Sequence, residues 1–70
     1  MFKAWVIDEY GDTCKEYEDC MAISVLSEHD MAEKFPDILE SIGIRSNYIR
    51  LVDSQGSHFY PLYIYSVNIG

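Results

Sequence analysis

At 70 residues, 49% of them apolar and 14% aromatic, the chain has material for one small domain with one hydrophobic core, and its composition excludes a disordered tail. Twelve carboxylates against five lysines and arginines leave a net charge of −7, which repels phosphate backbones and anionic lipid and argues against direct contact with nucleic acid or membrane. No apolar run reaches the roughly 18 residues of a spanning helix and the N-terminus carries no secretory pattern, so the expected compartment is the cytoplasm.

Phe2 to Asp8 has apolar residues at successive positions, with Trp5, Val6 and Ile7 favouring extended backbone, which predicts a central, well-covered strand. Glu9-Tyr10-Gly11-Asp12 follows as a tight turn, with Gly11 available for a positive φ, and Thr13 to Tyr17 returns as the second strand of a hairpin. Glu18-Asp19 interrupts before the apolar run Met21 to Leu26, which either extends the sheet or leads into helix. Ser27, with Asp30 three residues on, reads as a helix cap. Met31, Phe35, Ile38, Leu39 and Ile42 then keep to one helical stripe. Pro36 falls inside that stripe and predicts a kink, or two short helices meeting at Phe35-Pro36; Gly43 supplies a left-handed stop. Tyr48 to Asp53 and Ser57 to Val67 are the remaining strands, joined by a turn at Asp53-Ser54-Gln55-Gly56, with Pro61 marking an edge or a bulge. The predicted fold is α+β, a ββαββ arrangement in which a small antiparallel sheet carries one helical layer on one face. Aromatic residues on the other face are then exposed or covered by a partner.

Nothing in the sequence assembles a catalytic constellation. His29 falls in the first helical turn and His58 just after a hairpin turn, both read as surface residues, and no serine or cysteine lies at a spacing that pairs it with either. Cys14 and Cys20 lack the Cys-x-x-Cys spacing of a zinc site and read as two reduced, packing cysteines, with a disulfide as the alternative. The four glycines are isolated from one another, so there is no phosphate cradle, and Asp8 to Asp12 lacks the ligand alternation of a calcium loop. The expectation is a chain without cofactor or metal that binds rather than catalyses.

The charge is unevenly placed: Met1 to Ile42 holds eleven carboxylates against three lysines, a balance of −8, and the rest of the chain balances at +1. Asp8, Glu9, Asp12, Glu16, Glu18 and Asp19 crowd into the first hairpin. Outward side chains on a strand recur about every 7 Å, a spacing similar to that of phosphates along a DNA strand. Such a hairpin suits a basic groove made for nucleic acid, although a solvated acidic surface that maintains solubility gives the same composition. A second binding signal is the aromatic segment Phe59-Tyr60-Pro61-Leu62-Tyr63-Ile64-Tyr65. In a regular strand, Phe59, Tyr63 and Tyr65 share one face and Tyr60 takes the other, more aromatic surface than one helix covers. Tyr60, Tyr63 and Tyr65 are therefore candidate contact residues, for a partner or a second copy of the chain.

In size, acidity and expected fold class the chain resembles the small acidic inhibitors that bacteriophages and mobile elements direct against host defence, the anti-CRISPR and anti-restriction proteins. The resemblance spans the whole chain but rests on no diagnostic motif, and no family residue is carried over. It implies an inhibitor acting in the host cytoplasm, docked on a basic nucleic-acid-binding subunit of a defence nuclease complex and blocking DNA access. The competing expectations are a homodimeric structural or regulatory module and a small enzyme or metal domain built on Cys14, Cys20 and a histidine.

Overall fold

The computed structural model describes residues 1–70 and contains six strands and two helices. In chain order these are β1 (Phe2–Ile7), β2 (Thr13–Cys20), β3 (Ala22–Leu26), α1 (Glu28–Lys34), α2 (Pro36–Ile42), β4 (Tyr48–Asp53), β5 (Gly56–Pro61) and β6 (Ser66–Ile69). The class is the expected α+β, with one difference in layout. The strands form two three-stranded antiparallel sheets, β2-β1-β6 and β3-β4-β5, where the sequence predicted one.

A single residue, Met21, separates β2 from β3, so one stretch of chain serves both sheets. Its N–H donates to the Val52 carbonyl at 2.7 Å, which engages the second sheet as soon as the first is left. Bends of this kind are how strands turn the corner between packed sheets. The chain returns at Pro61. A proline there ends the ladder because it has no N–H to donate, and its carbonyl accepts from the N–H groups of Ile64 and Tyr65 at 3.1 and 3.0 Å. The single strand predicted over Ser57 to Val67 is therefore two strands in two sheets.

Both sheets contribute to one core. Ala4, Val6, Tyr17 and Cys20 from the first meet Ile49 and Leu51 from the second, with Phe2, Ile23, Tyr60, Tyr65 and Val67 packed around them. Tyr17 and Cys20 are three residues apart and would face opposite ways in a regular strand. The register explains how both point inward: Phe2 pairs with Cys20 and Ala4 with Tyr17, so two steps on β1 oppose three on β2. A bulge at Glu18-Asp19 absorbs the extra residue and resets the alternation.

The other face of the second sheet meets the helices. Tyr48 there packs with Met31 and Leu39, bordered by Leu26, Phe35, Ile38 and Phe59, and its hydroxyl donates to the Ile44 carbonyl at 2.6 Å. Ser27 caps α1 as expected, its Oγ accepting from the Asp30 N–H at 3.0 Å. The predicted break falls at Phe35, whose φ of −134° lies outside the helix before Pro36 opens α2. Gly43, at φ +75°, closes α2 by donating its N–H to the Leu39 carbonyl at 2.9 Å. No helix is long and apolar enough to cross a membrane.

Leu39 is 8% exposed and fills the space between α2 and Tyr48. Leu39→Ala is expected to destabilise the domain by about 2 to 5 kcal/mol, read from urea or thermal melts. An unchanged transition would contradict the packing of the helices on this sheet.

Candidate functional site

The first hairpin ends in a turn that its own side chains hold. Asp8 Oδ1 accepts from the backbone N–H groups of Tyr10 at 2.9 Å and Asp12 at 3.0 Å. The Asp8 N–H donates to the Asp12 carbonyl at 2.8 Å, and the Gly11 N–H to the Asp8 carbonyl at 3.1 Å. Gly11 takes φ +85°, a conformation that glycine adopts without a side-chain clash. Asp8 is thus spent on the turn. At the apex the Tyr10 ring is 82% exposed, and the neighbouring Glu9 and Asp12 are exposed with no ion-pair partner. Tyrosine is among the residue types that carry the most binding energy at protein interfaces.

The remaining acidic residues of the hairpin are placed differently. Lys3 Nζ lies 3.5 Å from Glu16 Oε1 and 3.4 Å from Glu18 Oε2, so one ammonium offsets part of the charge of two carboxylates. Glu18 first, then Glu16, holds Lys3 above the ordinary lysine value. Asp19 is exposed in the bulge without a cation. Of the six acidic residues singled out from the sequence, Glu9, Asp12 and Asp19 are therefore free, Glu16 and Glu18 are paired, and Asp8 is structural.

The aromatic residues also divide. Tyr63, in the turn after Pro61, is 83% exposed, its N–H accepted by Ser46 Oγ at 3.1 Å. Tyr60 and Tyr65 pack against the inter-sheet core with ring centroids 5.4 Å apart, so most of their area serves the fold. The alternation expected for a regular strand ends at the Pro61 turn, which sends Tyr60 and Tyr65 to the same core.

Near Tyr60 the sheets enclose a polar cluster. The Tyr17 and Tyr60 hydroxyls are hydrogen-bonded to each other, and burial raises both phenols above the ordinary tyrosine range. The His58 ring lies 4.8 Å from that of Tyr17, and its Nε2–H donates to Asp53 Oδ1 at 2.8 Å. That bond from His58 holds the Asp53 carboxyl below its ordinary value, assisted by the Gln55 N–H. The expectation of two surface histidines holds for His29, 83% exposed beside Glu33, and fails for His58, whose side chain is 28% exposed. The hairpin register contained the signal: Asp53 pairs with Gly56 and Leu51 with His58, which makes Asp53 and His58 diagonal neighbours on one face. Tyr10 lies inside a turn, where neither helical nor strand periodicity singles it out.

Cys14 is exposed, its thiol donating to the Val6 carbonyl at 3.5 Å, and Cys20 is buried in the core; the two are not bonded. No cluster of three or more histidines, cysteines and carboxylates forms a metal-binding group. A groove of about 460 Å³ opens between the helices, lined by Ala32, Pro36, Leu39, Glu40, Gly43 and Arg45. No family model, curated protein or solved structure matches the chain.

The Asp53–His58 pair has a defined pH signature. A carboxyl lowered in the folded state contributes stability that is fully present above its unfolded value, ordinarily 3.8, and is lost as pH falls through the folded value. Asp53→Asn is expected to lower the melting temperature at neutral pH and to flatten the loss of stability between about pH 5 and pH 2. Melting curves that fall in parallel with acid for both proteins would show that Asp53 does not carry this dependence.

Proposed function

We propose that the chain is a non-enzymatic inhibitor that docks its first hairpin on a basic protein surface and competes there with nucleic acid. The supporting observation is the hairpin apex: Tyr10 almost wholly exposed between the unpaired carboxylates of Glu9 and Asp12, on a turn fixed by Asp8. A turn already ordered in the free protein loses little conformational entropy on docking, and its charge steers it toward a positive groove. Asp19 adds a further free carboxylate on the same hairpin. The partner class this reading favours is a nucleic-acid-binding subunit of a defence nuclease, as the resemblance in size and charge implies. Nothing in the proposed role uses a cofactor or a metal.

The test is capture of partners from a lysate of the cells in which the protein occurs, followed by elution with duplex DNA. The expected result is a bound protein released by DNA and by salt, with affinity lost by about 1 to 2 kcal/mol or more on Tyr10→Ser. The double variant Glu9→Gln, Asp12→Asn is expected to associate more slowly and to show a weaker salt dependence than the parent. A partner that stays on the bait while bound to DNA would rule out competition for one surface.

A further inference from the structure

Four strands lie at sheet edges: β2 and β6 in the first sheet, β3 and β5 in the second. An edge presents unpaired N–H and C=O groups that invite another strand, and natural edges are blunted by charge, proline, bulges or shortness. Three of the four are protected in this way. The β2 edge carries Lys15, Glu16, Glu18 and Asp19 and has two register shifts. The β5 edge ends in Pro61, and β6 is four residues long. The fourth edge, β3, reads Ala22-Ile23-Ser24-Val25-Leu26, with no charge, proline, glycine or bulge. Val25 is 65% exposed on it, and Met21, at its start, 51%.

Its sequence is also complementary to itself. A twofold axis at Ser24, with the strands antiparallel, sets Ser24 opposite the partner's Ser24, Ile23 opposite the partner's Val25, and Ala22 opposite the partner's Leu26. Directly paired residues share a sheet face. Ile23 and Val25 pair with Leu51 and Ile49 across the β3–β4 ladder, so the apolar row Leu51–Ile23 would continue through the partner's Val25 and Ile49. The exposed Val25 gains a β-branched neighbour, and the twofold keeps the same set of outward backbone groups facing each other on both strands.

We propose that β3 is the contact strand of a homodimer, pairing antiparallel with the β3 of a second copy about a twofold at Ser24 to make one six-stranded sheet. The segment bears no charge, so the repulsion between two copies at −7 each acts between charges outside the paired strands. Salt screens that repulsion and strengthens the dimer, the opposite of its effect on docking to a basic partner. The pairing uses neither β1 nor the turn at residues 9–12, so the dimer presents two hairpin tips.

Sedimentation equilibrium from micromolar to millimolar protein, at low and high salt, tests the association. The expected result is a monomer–dimer equilibrium that tightens with salt, and Val25→Lys is expected to weaken it by about tenfold or more with an unchanged melting temperature. Ser24→Cys in a Cys14→Ser background tests the register, because facing Cα atoms lie about 4.5 to 5.5 Å apart, within disulfide reach. It is expected to cross-link under mild oxidation, whereas Ser57→Cys on the β5 edge is not. A monomer at every concentration, a dimer untouched by a folded Val25→Lys, or cross-linking at Ser57 in place of Ser24 would overturn the proposal. Should Val25→Lys fail to fold, the pair of cysteine variants decides between the same outcomes.

Discussion

The architecture depends on one stretch of chain, Thr13 to Leu26, belonging to two sheets at once. It pairs with β1 through β2, bends at Met21, and pairs with β4 through β3. For both halves to present apolar residues to the same core, the side-chain alternation must be reset between them, and the bulge at Glu18-Asp19 does this. With Tyr17 and Cys20 three residues apart, a regular strand could not turn both inward, and the core shared by the two sheets would lose one of its first-sheet members. The same bulge places Asp19 in solvent and sets Glu18 against Lys3. Charge and packing in the hairpin are thus consequences of one local irregularity.

A second consequence concerns which surfaces are available. The first sheet covers one face of the second and the helices cover the other, so little aromatic area is left over for a partner on the faces. Apart from the outer face of the first sheet, the exposed apolar side chains include those of the Tyr10 turn, the Tyr63 turn and the β3 edge. A 70-residue domain buries only about 60% of the surface its unfolded chain exposes, and here that burial is concentrated in the two small clusters either side of β4. The proposed contacts, a turn and a strand edge, are both features that project from this frame.

Much of the fold was legible in local sequence because the responsible interactions are local. Ser27 and Asp30 form a cap within four residues, Pro36 breaks the helix through its own ring, and Gly43 stops it through its own φ. Turns at residues 9–12 and 53–56 follow from the same short-range chemistry. The division into two sheets was not legible, since the bulge in β2 and the bend at Met21 are set by register against β1 and β4, strands far apart in sequence. An unbroken strand would expose Tyr60 and Tyr65 as contacts, and it is the Pro61 turn that folds them inward. The acidic hairpin is evident in the sequence as a unit, but which of its carboxylates are free depends on where Lys3 and the backbone of the turn lie.

Removing Asp19 tests most directly whether the bulge governs the rest. With one residue fewer, Tyr17 and Cys20 stand two apart in a regular strand, both still inward and opposite Ala4 and Phe2, so the ladder needs no bulge and the core keeps both side chains. The measurement is the melting of the Asp19 deletion variant followed by near-ultraviolet circular dichroism, which reports the packing of the core tyrosines. The expected result is a cooperative transition within about 1 kcal/mol of the parent with the near-ultraviolet signal retained, since the extra residue that the bulge absorbs is gone and no core side chain is turned out. Loss of the cooperative transition or of the near-ultraviolet signal would contradict it, because turning out a core side chain costs about 2 to 5 kcal/mol in a domain with little more to lose.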